Sequence, residues 1–184
     1  GGVGGVHLDA EKTFDVSADL QELAQTPVTV ISAGPKAILD LPKTLQFLET
    51  LGVPVITFEQ DELPAFWSRS SGLRSPLRMN SAVEIARSQL VREALSIPGG
   101  QLVANPIPAY AEIPFKEILP IIKKAHLEAK KANISNKNLT PFLLDKIFHF
   151  TEGASLKANI ELVKNNAFLA CKIASSLITE KSKI

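Results

Sequence analysis

The chain has 184 residues, 45% of them hydrophobic and 21% charged, with a formal net charge of +1. That is enough apolar material for one sizeable core, which excludes a disordered chain, and the near-zero charge gives no footprint for a nucleic-acid polymer or an acidic membrane. The single cysteine, Cys171, excludes an internal disulfide and a cysteine-based zinc site, and no run of about 18 uncharged apolar residues offers a membrane span.

The sequence opens on Gly1-Gly2-Val3-Gly4-Gly5-Val6. Such a start reads either as a flexible linker or as a loop from inside a longer protein. Met79 is the only methionine, and no basic-then-apolar leader is visible. The expected location is cytoplasmic, with mitochondrion and peroxisome left open. Residues 12–19 alternate so that Asp15, Ser17 and Asp19 share one face, which predicts a strand. Asp19 and Glu22 stand at capping-box spacing, which predicts a short helix over 20–25. The β-branched run 28–32 predicts a buried strand. Ala33-Gly34-Pro35-Lys36 then turns into a helix over 37–51, kinked at Pro42. Residues 53–58 predict the next strand, paired in parallel with the previous one.

Residues 59–80 read as a long surface loop, in which Arg69, Arg74 and Arg78 either bind phosphate or are solvated. Ser81 caps a helix to about residue 95, and 101–106 is a further strand. Helices are predicted over 115–132, 140–150 and 155–181, the last with Cys171 in the core. The expected fold class is α/β: a mixed, largely parallel sheet with helices on its faces and a helical C-terminal part. The expected organisation is a single partial domain over 1–184.

Three groups of residues can carry chemistry. Asp15, Ser17 and Asp19 on a strand face suit a hard divalent cation or sugar hydroxyls, or are merely solvated. His7 stands alone in a glycine-rich loop. Lys36, placed where a strand turns into a helix, is disfavoured as a cation by the helix dipole, which suits a Schiff-base lysine. The same position suits phosphate binding or a plain exposed lysine. Asn159, Asn165 and Asn166 are costly inside a helix and suggest a buried polar cluster or a base-recognition edge. His126 and His149 receive no role.

Blocks spread over nearly the whole chain resemble pseudouridine-5′-phosphate glycosidases, in that family's order. They include Gly4-Gly5-Val6-His7, Thr13-Phe14-Asp15-Val16-Ser17-Ala18-Asp19, Ala33-Gly34-Pro35-Lys36-Ala37, Phe66-Trp67-Ser68-Arg69, Thr140-Pro141-Phe142 and Ala158-Asn159-Ile160. The resemblance implies cleavage of the C–C glycosidic bond of pseudouridine 5′-phosphate to uracil and ribose 5-phosphate, with a divalent metal, typically manganese, in a homotrimer. It implies Lys36 as the nucleophile at the anomeric carbon and Asp15 as the metal's carboxylate, through water. Ser17, Ala18 and Asp19 would line the substrate, and His7 and Asn159 would face the uracil.

Two departures accompany it. The chain resembles the C-terminal part of the family, whose N-terminal part supplies a proton-donor glutamate and a further lysine. The isolated chain is therefore expected to be nearly inactive. Leu8-Asp9 also stands where the family has Arg-Gly. The alternative reading is a non-catalytic α/β remnant that binds a sugar phosphate or a nucleotide.

Overall fold

The computed structural model describes residues 1–135 and 138–183. Its centre is a four-stranded sheet of β1 (Thr29–Ser32), β2 (Val55–Phe58), β3 (Leu77–Met79) and β4 (Gln101–Ala104) in the order β1-β4-β2-β3. Every pairing is parallel. The fold class is α/β, as expected, and the described sheet is wholly parallel.

The expected pairing of the first two strands is corrected: β4 lies between them, with Val103 opposite both Ile31 and Ile56. The reason is burial. All four residues of β4 are buried, whereas β1 is mostly half-buried and β3 largely exposed. A strand apolar on both faces belongs in the centre of a parallel sheet. Its one long polar side chain, Gln101, is satisfied there by Thr29 and Ser88.

Helices α2 (Ala18–Gln25) and α3 (Leu41–Thr50) cover one face through Leu20, Leu23 and Leu48. Helices α4 (Ala82–Ala94) and α7 (Ala154–Lys181) cover the other through Ile85, Leu169 and Ile173. A third cluster joins α5 (Phe115–Lys131), α6 (Leu139–Phe150) and the start of α7 to the turn after β1. No helix among the described residues is long and apolar enough to cross a membrane.

Five expectations change. Residues 12–19 form no strand: a one-turn helix, α1 (Ala10–Thr13), is followed by a single antiparallel bridge between Val16 and Val6. The cap of α2 is Ser17, whose side chain accepts from the Asp19 N–H, because the Asp19 carboxylate is already taken by the Gly4 N–H at 2.8 Å. The stretch 59–80 is only in part a surface loop. It contains β3, buries Leu63 to Ser68, and seats Trp67 with its Nε1–H donating to the Ser155 carbonyl. Arg69 is half-buried, and its guanidinium donates to the Ile107 carbonyl at 2.7 Å. Finally, Cys171 is exposed, on the face of α7 turned away from the sheet.

Candidate active site

The glycine-rich opening is not a linker. Val3 bridges Pro35 in parallel, its N–H donates to the Gly34 carbonyl, and the Lys36 N–H donates to the Val3 carbonyl. On its other side the Ser17 N–H donates to Gly5 and the His7 N–H to Asp15. Residues 1–7 are thus stitched between the lysine turn and the segment 15–19. Glycine is required because the backbones come this close: a Cβ on Gly4 would strike Ser17 and Asp19, and one on Gly5 would strike Thr44. Gly34 adds a left-handed φ of 82° and lies against the Pro64 carbonyl.

This stitching brings His7, Asp15, Ser17, Ala18, Asp19 and Lys36 into one region at the carboxyl end of β1, where open α/β sheets place their ligands. Lys36 is half-buried, and its turn is closed by the Leu39 N–H on its own carbonyl at 3.0 Å. The expected helix start at residue 37 is corrected. α3 begins at Leu41 behind Asp40, whose carboxylate accepts from the Lys43 N–H, and Pro42 sits in its first turn rather than at a kink. Lys36 therefore lies outside the helix, and the dipole argument for a neutral amine does not apply to it.

His7 is the centre of the electrostatics. It is buried, and burial holds its imidazole below the ordinary value, with Asp15 pulling the other way and Lys36 adding to the depression. Its Nε2 lies 3.4 Å from Thr140 Oγ1, and its Nδ1 has no partner. His126, on α5, is held below the usual range by burial first, with His7 contributing; its Nε2–H donates to the Ile38 carbonyl, two residues beyond Lys36. His126 has no role in the sequence reading and Thr140 enters it only within a resemblance block, because neither has a ligand-like spacing to His7; only long-range contacts bring them together.

In the asparagine cluster on α7, Asn166 is buried and Asn159 and Asn165 are half-buried. Asn166 accepts from Asn105 at 3.2 Å and donates to the Gly1 carbonyl at 3.1 Å, and Asn165 donates to the Pro106 carbonyl. Asn159 differs: its Oδ1 is buried with no partner. A buried polar atom without a partner costs about 1–3 kcal/mol and calls for a reason.

A cavity of about 840 Å³ opens beside this region, with Asp15, Ile38, Asp40 and His126 among its walls. Lys36 and His7 lie next to it rather than on its walls.

Among the described residues no three His, Cys, Asp or Glu side chains gather as metal ligands. A caged metal does not fit, since Asp19 is engaged with Gly4. A hard cation that keeps most of its water shell and meets one carboxylate, Asp15, does fit.

The family described as indigoidine synthase A-like matches residues 1–176. A pseudouridine-5′-phosphate glycosidase of Paracoccus denitrificans is 62% identical over 179 residues, covering 97% of this chain and 59% of the relative. One of Legionella pneumophila is 58% identical, covering 95% and 56%. The crystal structure of the prealnumycin C-glycosynthase in complex with ribulose 5-phosphate superposes with a TM-score of 0.92 at 30% identity, covering 100% of this chain and 60% of that one. An indigoidine synthase A-like protein from Thermotoga maritima gives 0.84 at 38%, covering 95% and 56%. The chain thus spans somewhat over half the length of the relatives it matches. The chain belongs to the indigoidine synthase A-like family, and the relatives it matches at 58–62% identity are named pseudouridine-5′-phosphate glycosidases.

Proposed function

We propose that this chain carries the nucleophile and the base-recognition edge of a pseudouridine-5′-phosphate glycosidase, a protein of its relatives' length. The observation that carries the reading is the pair of unpartnered buried atoms, His7 Nδ1 and Asn159 Oδ1. They belong to two of only four side chains with such an atom among the described residues. A uracil edge alternates N–H donors with carbonyl acceptors and would satisfy both. Burial keeps His7 neutral at neutral pH, so it can meet a neutral base without leaving a charge buried.

The chemistry asked of Lys36 follows from the substrate. A C–C glycoside has no heteroatom leaving group to protonate. Attack of Lys36 Nζ on the anomeric carbon breaks the bond to the ring oxygen, which takes a proton. A proton then goes to the uracil carbon, the C–C bond breaks, and its electrons pass to that carbon while the lysine nitrogen forms an imine. Water releases ribose 5-phosphate and frees the lysine. Ser17, Ala18 and Asp19, at the first turn of α2, would line the sugar. Asp15 would hold a hydrated divalent cation, manganese by the resemblance, which when bound supplies positive charge beside the anionic substrate. The proton donor to the uracil carbon is not among the roles these residues fill, and general acids are typically worth about 10²–10⁴-fold.

The test is sodium borohydride with ribose 5-phosphate, followed by peptide mass mapping. A label on Lys36 that is lost in Lys36→Arg is expected, because a guanidinium forms no imine at neutral pH. An unlabelled chain would favour the non-catalytic remnant.

A further inference from the structure

The side chain of His7 meets the rest of the protein through one ring nitrogen. The residue is only 7% exposed. Among the described residues Thr140 is the one hydrogen-bond partner of its ring, with Oγ1 3.4 Å from Nε2, and Nδ1 is buried with none. Asp15 and Lys36 are close enough to act on its charge in opposite senses, but neither side chain bonds to the ring. Burial keeps the imidazole neutral at neutral pH, so it holds a single ring proton. The nitrogen that carries this proton donates and the other accepts. What Thr140 does at Nε2 therefore decides what Nδ1 offers to a ligand.

A threonine hydroxyl can donate or accept, so the choice falls to its surroundings. Thr140 is the second residue of α6, and the residue before that helix, Asn138, makes no side-chain cap bond. The first turn of α6 therefore keeps the partial positive charge of a helix N-terminus beside the His7 ring. That field favours a nitrogen lone pair turned towards the helix and opposes an N–H pointing at it. A ring with its Nε2 lone pair towards α6 accepts the Thr140 O–H and carries its proton on Nδ1. Asn159 leads to the same tautomer from the ligand's side. Its free buried atom is Oδ1, an acceptor, which calls for an N–H on the ligand. Each N–H of uracil has a carbonyl beside it, so a neighbouring contact made by His7 has to donate.

We propose that Thr140 is a positioning residue: it holds His7 as the Nδ1–H tautomer and so makes the free ring nitrogen a donor to a base carbonyl. The identity of the ligand rests on the base-recognition edge already proposed, whereas the tautomer belongs to the free chain. Thr140 would thus shape recognition without touching the base. With the proton on Nε2 instead, Nδ1 would turn a lone pair towards the carbonyl, and two acceptors would face each other in a buried site.

The experiment uses the full chain, labelled with nitrogen-15 at histidine. Long-range proton–nitrogen correlations at neutral pH distinguish a protonated from an unprotonated ring nitrogen, and His7→Asn identifies the His7 signals. The parent, with no ligand present, should show a protonated Nδ1 and an unprotonated Nε2. Thr140→Ser keeps the hydroxyl and should keep that pattern. Thr140→Val has the same shape without the O–H, and should move His7 towards the Nε2–H form while circular dichroism stays unchanged. With uracil as the probe, Thr140→Val should bind about threefold to tenfold more weakly than the parent, the worth of roughly one hydrogen bond, and Thr140→Ser as well as the parent. The proposal is overturned by a parent whose His7 carries its proton on Nε2 or is charged at neutral pH, or by a Thr140→Val chain that keeps the parent's tautomer. A parent with the expected tautomer whose His7 signals do not move with uracil would overturn the base-recognition reading instead, and the valine and serine spectra would still establish the hold of Thr140 on the ring.

Discussion

Residues 1–40 and the helices from α4 onward are held by different kinds of interaction. The helices rest on repeated apolar contacts: Ile118, Ile122, Ala125 and Ala129 along α5, and Leu162, Leu169 and Ile173 along α7, each one contact among many. The opening segment also buries Val3, Val6, Leu20 and Leu23, but its course is set by individual bonds between distant residues, such as Gly4 to Asp19, Val6 to Thr44, Lys36 to Val3 and Asp40 to Val6. A helix face tolerates the loss of one contact because its neighbours remain. A stitched loop has no spare. The site is built in the second kind of region, so its geometry should be more sensitive to small changes than the core beside it.

The sharpest way to break that contrast is to add one methyl group. Gly34→Ala meets both a left-handed backbone and the Pro64 carbonyl, so it should destabilise by about 3 kcal/mol or more and disturb the Lys36 turn. Gly52 has a similar φ of 70° but open space around it, and Gly52→Ala should cost only about 1 kcal/mol. Denaturant titration of the two variants measures the difference. Equal losses would mean that backbone strain alone, and not the close approach of the Pro64 carbonyl, makes glycine necessary.

Asn166 lies where the two regions meet, binding Asn105 on one side and the Gly1 carbonyl on the other. Asn166→Leu fills the same space but leaves buried groups unpaired, and should cost about 2–3 kcal/mol. Thermal melting at fixed pH is sufficient to see it. A change below about 0.5 kcal/mol would show that the network contributes no more than a neutral surface position.

The same division explains what could be read in the sequence. Ser81 as the cap of α4 and the extents of α5 and α7 followed from capping and from apolar period, both of which are local. The start of α3 at Leu41 has local signals, the Asp40 cap on the Lys43 N–H and Pro42 in the first turn, which the apolar run 37–39 masks. The role of Ser17 was given to Asp19 because nothing near Asp19 reveals that Gly4 takes its carboxylate. Lys36, His7 and Asn159 stand out in the sequence by residue type and position, and only the resemblance gives them specific roles. The unpartnered atoms of His7 and Asn159, and the charge of Lys36 near His7, are long-range facts that no local pattern carries.

A smaller effect concerns pH. His7 and His126 are both held below the ordinary imidazole value, burial being the larger cause in each. The unfolded chain takes up these protons at about pH 6.5, and the folded chain only at lower pH. Stability from these two groups is fully present above about pH 6.5 and is lost as pH falls from there through the depressed folded values. Melting temperature should therefore fall between pH 7.5 and 5.5. The fall should be shallower in His126→Gln, which keeps a donor for the Ile38 carbonyl but cannot titrate. An unchanged slope in that variant would remove His126 from the account.

The smallest predicted effect is a gain. Asp9 stands before α1 with φ of 60°, a conformation in which L residues are strained, although Asp is among the less disfavoured. Its side chain does not cap the helix; its one ion pair, with Lys12, is long and exposed and adds little. What α1 needs from this residue is its backbone carbonyl, which accepts from the Lys12 and Thr13 N–H groups and would survive any substitution. Glycine removes the left-handed strain, at the cost of a more flexible unfolded chain. The two terms oppose one another, and Asp9→Gly should stabilise by about 0.5 kcal/mol. Asp9→Ala keeps the strain and loses the local tolerance of Asp, so it should destabilise by a similar amount. A difference in the opposite direction between the two variants would mean that the Asp9 carboxylate supports the loop between His7 and Asp15. The departure from Arg-Gly at residues 8 and 9 would then be an adaptation of the site's rim rather than a tolerated strain.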